Sequence, residues 1–261
     1  MNDIRFRPHG FIRRSRPWVS QILLIGLLLL GGGIAAAQED VPDEPPEEKP
    51  SWTARTGARA AFVADAGLAA LRITPSATGD LKQRLRVGRR VYVLGQRRIV
   101  DGRTYVFVAV TRRTRGWLDQ RAVVRANARG DDTRLLALAR VETAGYERLR
   151  LCRLFETLFR SSPQLPTALL LLGETADAEA EAMQRRAVRR VQQRVVAGNA
   201  DEASYFDNDP GLDRYNRLGV KFRYDSAKKR YRYDGAAYRR LARQYPQTPE
   251  ADKARQWLSN Q

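Results

Sequence analysis

Between residues 66 and 124, short runs rich in Val, Tyr, Phe and Leu are cut at close spacing by Gly, Pro and Asp-Gly. That punctuation admits little but a small all-β unit, a barrel of short strands. Residues 91–94 read as one strand and residues 105–110 as another. The Asp101-Gly102 dipeptide supplies positive φ at the centre of a tight turn, so Ile99-Val100 is expected to pair with residues 103–110 as a hairpin. A basic turn follows at 112–115, and Gly116-Trp117-Leu118 closes the barrel, with residues 60–63 as its first strand. Because residues 105–110 are apolar at every position, both faces of that strand should be covered, one by the barrel core and the other by the helical half of the chain.

From residue 131 the apolar period becomes helical. Asp132 or Thr133 is placed to cap a helix through Leu135, Leu136, Leu138 and Ala139. A second helix over residues 146–159 carries Leu149, Cys152, Phe155, Leu158 and Phe159 on one face. Ser161-Ser162-Pro163 stops it, and Pro166 opens a short helix over 167–172. Phe155, Leu158, Pro163 and Ala168 then recur with identical spacing as Tyr238, Leu241, Pro246 and Ala251. The repetition predicts two helical hairpins separated by an insertion, residues 178–235.

The insertion has two parts. Residues 178–196 form a basic amphipathic helix, with Met183, Ala187, Val191 and Val195 on one stripe and Arg185, Arg186, Arg189, Arg190 and Arg194 on the remainder. These arginines are candidates for an anionic surface or for an ordinary solvated face. Residues 220–233 alternate aromatic and basic on both sides of a turn, which predicts a β-hairpin whose aromatic face packs against the helices.

The N-terminus reads as an address. Five arginines precede an apolar run, small residues follow, and Ala35-Ala36-Ala37 ends the segment, the three parts of a secretory signal over residues 1–37. If uncleaved, the segment is just long enough to anchor the chain in a membrane. In either case the remainder is expected outside the cytoplasm, periplasmic or extracellular. Residues 38–51, acidic and rich in proline, are expected to be an extended tether.

The chemistry is limited by what is missing. The sole histidine is His9, inside the expected signal, and the sole cysteine is Cys152. Beyond the signal, Ser-His-Asp and Cys-His catalysis are therefore excluded, and an intramolecular disulfide is impossible. Cys152 reads as a small buried hydrophobe. Asp207, Asp209 and Asp213 superficially resemble a calcium loop, but Pro210 and the missing terminal Glu favour helix capping, so no metal or other cofactor is expected. A hydrolase relying on carboxylates alone stays open. The net charge is +18, and lysine is confined to positions 49, 82, 221, 228, 229 and 253, so arginine carries nearly all of it. Such a balance attracts polyanions. Outside the cytoplasm these are anionic lipid, wall polymer or acidic protein, and no nucleic acid partner is expected.

Within the strand-rich stretch, Leu71-Arg72, Thr74-Pro75-Ser76, Val87-Gly88, residues 91–94, residues 105–108 and Gly116-Trp117-Leu118 follow one another in an order that resembles the bacterial SH3 (SH3b) domain family. The resemblance implies a small SH3-like β-barrel over 52–127, a binding module of the cell envelope directed at peptidoglycan or a protein partner. It places the ligand groove at Tyr92, Tyr105 and Trp117, the alternative for Trp117 being that it plugs the barrel core. The recurring aromatic-x-x-Leu helices resemble divergent tetratricopeptide (TPR) repeats, which implies an α-helical, protein-binding TPR-like domain over 131–261. The fold class expected is thus multi-domain β plus α, and the function expected is that of an exported, non-catalytic envelope scaffold.

Overall fold

The computed structural model describes residues 59–126, 128–195 and 201–260, with backbone only over 192–195. The expected signal and tether, and the side chain of Arg194, lie outside the described residues. Seven strands form one curled antiparallel sheet: β1 (Arg59–Val63), β2 (Ala70–Arg72), β3 (Leu81–Arg84), β4 (Arg90–Val100), β5 (Arg103–Ala109), β6 (Arg115–Asp119) and β7 (Val123–Val124). Their order is β3-β2-β6-β5-β4-β1-β7. The β4–β5 hairpin forms at the expected dipeptide, with φ 50° at Asp101 and 69° at Gly102 and with Ile99 opposite Thr104. Alternation along the strands sends Leu71, Val91, Val108 and Leu118 inward, all with no exposed surface, into one apolar cluster.

The helical part contains α1 (Asp131–Val141), α2 (Gly145–Leu158), α3 (Leu165–Val195), α4 (Glu202–Asp207), α5 (Gly211–Leu218), a hairpin of β8 (Phe222–Asp225) and β9 (Arg230–Tyr233), then α6 (Ala236–Gln244) and α7 (Pro249–Ser259). Two expectations need correction. The α1 helix starts behind Gly130, which has a left-handed conformation, and no side chain caps it. Asp132 and Thr133 sit inside the first turn and tie it to the loop before α3: Ser162 Oγ donates to Asp132 at 2.7 Å and Gln164 Nε2 to Thr133 Oγ1 at 2.7 Å. The helices expected at 167–172 and 178–196 are one helix of 31 residues, about 46 Å long at the usual rise. Gly173 does not interrupt it. A Cβ there would lie 2.5 Å from the Tyr238 ring, so its absence makes room for the packing of α6.

The recurring residues do build two helical hairpins, α2–α3 and α6–α7. Phe155, Leu241, Tyr238, Ala168 and Ala251 are all buried. Equivalent positions of the two copies touch, since Thr167 Oγ1 donates to Glu250 Oε1 at 2.8 Å across 83 residues. The 222–233 hairpin turns Phe222, Tyr231 and Tyr233 inward and leaves Arg223 and Arg230 exposed. Phe206 of α4 stacks on Tyr224 at 4.2 Å. Sheet and helices share a core, because Ala64, Val87 and Val124 belong to the same cluster as Leu149, Phe155 and Leu165. All described residues fall in one compact unit.

Candidate functional site

The curled sheet has an outward face as well as a core. Val106 and Val108 point inward, so Tyr105, Phe107 and Ala109 alternate outward on β5. Cross-strand register then sets the neighbours. Trp117 lies opposite Phe107, Asp119 opposite Tyr105, and Tyr92 opposite Ala109. The three groove candidates, Tyr92, Tyr105 and Trp117, therefore share one face. Phe107 joins them: its ring centroid is 5.2 Å from that of Trp117, tilted by 56°. Tyr92, Phe107 and Trp117 are half-buried, whereas Tyr105 is only 5% exposed. Neither apolar cluster includes Tyr105, Phe107 or Ala109, so the expected helical cover over this face is replaced, at Phe107, by the indole of the neighbouring strand. Arg72 and Arg115 flank the patch, opposite Trp117 and Ala109 respectively. An aromatic surface edged by guanidinium groups offers rings for stacking and cations for carboxylates.

Behind Trp117 the strand is pinned. Gly116 passes β2 so closely that a Cβ would lie 2.6 Å from the Arg72 carbonyl oxygen. Asp119, buried at the end of β6, accepts from Arg121 Nη2 at 2.8 Å and from the Arg121 backbone N–H at 2.9 Å. Its burial opposes ionisation, but the Arg121 hydrogen bonds and charge hold its carboxyl below the usual carboxylate range.

The arginine stripe on α3 is not uniform. Met183, Ala187 and Val191 are buried, as the stripe requires, and the arginines face solvent. Arg190, however, donates to the buried carboxylate of Asp209 at 2.5 Å. Arg186 reaches Glu179 at 3.3 Å and the Tyr215 hydroxyl at 3.5 Å. Arg185 makes only a long, exposed pair with Glu181 at 3.9 Å. Arg189 has no partner among the described residues. Asp209, read as a helix cap, does accept from the Gly211 N–H at 2.7 Å. Among the described residues no group of three or more His, Cys, Asp or Glu side chains is placed to hold a metal.

A pocket of about 450 Å³ lies between α3, β9 and α7, lined by Asp177, Glu181, Gln184, Arg185 and Trp257 among others. Burial raises the Asp177 carboxyl, although Tyr238 Oη donates to it at 2.8 Å and the Trp257 indole also donates.

Sequence reasoning missed a third feature. Arg86 and Arg89 from the turn before β4, Arg150 and Arg153 from α2, and Arg217 from α5 line one open groove of about 500 Å³. They come from three elements up to 131 positions apart, and no local pattern marks them. Phe107, by contrast, was signalled by the unbroken apolar run at 105–110.

Comparisons with protein-family models, with curated proteins and with solved structures find no match to this chain.

Proposed function

We propose that the chain is an exported, non-catalytic binding protein of the cell envelope. In this reading the curled sheet is an SH3b-like barrel that recognises peptidoglycan or an envelope protein, and the two helical hairpins form a divergent TPR-like scaffold for a protein partner. The observation that carries the reading is the convergence of Tyr92, Phe107 and Trp117 on one outward face of a rigid sheet. Planar rings on a preorganised strand surface bind sugars or peptide side chains at low entropic cost. The residues beyond the expected signal lack histidine, which removes the commonest general base and metal ligand.

The test is co-sedimentation of the full-length chain with purified sacculi across a salt series. Recognition through the aromatic face predicts retention at moderate salt and a loss of about tenfold or more in affinity for Trp117→Ala or Phe107→Ala. Retention that survives both substitutions, or that vanishes as soon as salt is raised, rules this face out. The rival reading, a carboxylate-dependent hydrolase, has Asp177 and Glu181 in its favour as two acids lining one pocket. It predicts clearing of sacculus turbidity that Asp177→Asn abolishes, whereas a binder leaves the suspension intact.

A further inference from the structure

The floor of the arginine groove is α2, one wall is the turn at residues 86–89, and the other is the end of α5. Each wall is fastened to the floor by an arginine used structurally. Arg150 Nη2 donates to the Val87 carbonyl oxygen, and its other nitrogen pairs with Glu147 at 2.9 Å. Arg153 Nε donates to the Leu218 carbonyl oxygen at 3.1 Å, and its Nη1 pairs with Glu156. Arg153 thereby occupies an oxygen at the negative end of α5 that would otherwise repel an anion. The turn is also fixed from behind: Gly88 N–H donates to the Val63 carbonyl oxygen at 2.8 Å and Val63 N–H to that of Arg89 at 3.0 Å.

Two of the five guanidinium groups are therefore paired, Arg150 with Glu147 and Arg153 with Glu156, a carboxylate that Arg240 also shares. The other three, on Arg86, Arg89 and Arg217, are exposed and have no carboxylate or hydrogen-bond partner among the described residues. Like charges gathered around one concave surface raise the local potential and repel one another, a cost relieved by a bound anion. The lining contains no aromatic ring, only Val87, Leu154, Leu218, Gly88 and the Thr157 hydroxyl besides the arginines. With no ring to cradle a base or a sugar, recognition rests on charge and on the guanidinium fork, which matches phosphate oxygens two at a time.

We infer that this groove is a binding site for an anion carrying two or more phosphate groups, held by Arg86, Arg89 and Arg217 across a floor preset by Arg150 and Arg153. The inference is independent of the aromatic face.

The experiment is calorimetric titration of tripolyphosphate into the full-length chain. Arg86→Ala, Arg89→Ala and Arg217→Ala are compared with Arg189→Ala and Arg223→Ala, which remove equal charge elsewhere. Because the side chains of the three groove arginines make no hydrogen bond within the described fold, and alanine keeps the backbone bonds of the turn, circular dichroism should be unchanged in each variant. The expected result is a loss of about tenfold or more per groove substitution, the scale of one charge-assisted pair, and little change in the two controls. Sedimentation with phosphatidylcholine vesicles, with and without cardiolipin, whose headgroup carries two phosphates, identifies the source. Loss of vesicle binding in the same variants assigns a lipid headgroup, and loss of tripolyphosphate binding alone assigns a soluble or polymeric phosphate. The inference is overturned if tripolyphosphate does not bind, if groove variants bind like the parent, or if the controls weaken binding equally.

Discussion

Arg189 and Arg190 are neighbours on one helix, both exposed in sequence terms, yet their removal should have very different costs. Asp209 keeps only 3% of its side-chain surface in solvent, while Arg190 keeps 51%. Replacing Arg190 by alanine strands a buried carboxylate whose remaining partner is the Gly211 N–H. Breaking a fully buried pair costs about 3–5 kcal/mol. Half of Arg190 is already hydrated and one hydrogen bond to Asp209 survives, so a loss of about 2 kcal/mol is the reasoned value. Arg189→Ala should cost less than about 0.5 kcal/mol, the usual size of an exposed substitution. In urea, with a slope of about 2 kcal/mol per molar, the Arg190 variant should unfold about 0.8–1 M earlier than the Arg189 variant. A double-mutant cycle with Asp209→Asn should recover most of the difference as coupling energy. Midpoints for the two arginine variants that agree within error would refute the division of the stripe into structural and free cations.

Two further outcomes follow from buried titratable groups. Burial, and then the hydrogen bond to Glu179, pushes the Tyr215 hydroxyl up to about 12, and burial likewise raises Tyr231, Tyr233 and Tyr238 above the ordinary value of 10.0. The native state keeps protons that the unfolded chain releases, so the stability these groups contribute is complete below about pH 10 and is lost as pH rises further. Of the ten tyrosines, these four should gain phenolate absorbance only together with loss of circular dichroism; a reversible titration of all ten in the folded state would count against their burial. Cys152, pushed up to about 12 by burial, should resist a thiol reagent at neutral pH until denaturant is added, and stoichiometric labelling of the intact fold would contradict its place in the core.

How far the chain was readable from its letters depended on whether a feature was local. The Asp101-Gly102 turn, the buried stripe Met183-Ala187-Val191 and the two-faced hairpin at 222–233 each follow from periodicity within a few residues. The 83-residue recurrence was legible too, because the two copies use the same aromatic, leucine, proline and alanine positions. β3 carried no signal, since all four of its residues are exposed and none alternates with a buried one. The continuity of α3 was missed, since the expected helices stopped at residue 172 and resumed at 178; the glycine at 173 is held inside the helix by the Tyr238 ring that fills its place. The cap expected from Asp132 or Thr133 failed for a similar reason, as tertiary hydrogen bonds to Ser162 and Gln164 claim both side chains. On the outward sheet face, register alone brought Phe107 beside Trp117. The arginine groove had no sequence signature, because its members converge only when three separate elements pack.

The long α3 helix is packed along its length by α2, α6, α7, α4 and β9 in turn. Such a shared spine means that the helical layers cannot be peeled away one at a time: releasing any of them exposes a strip of the same rod that the others need. Backbone amides near Leu169, Ala176 and Met183 should accordingly exchange with solvent at one common rate set by global opening, and a partner gripping either end would feel the whole helical half respond as a single lever.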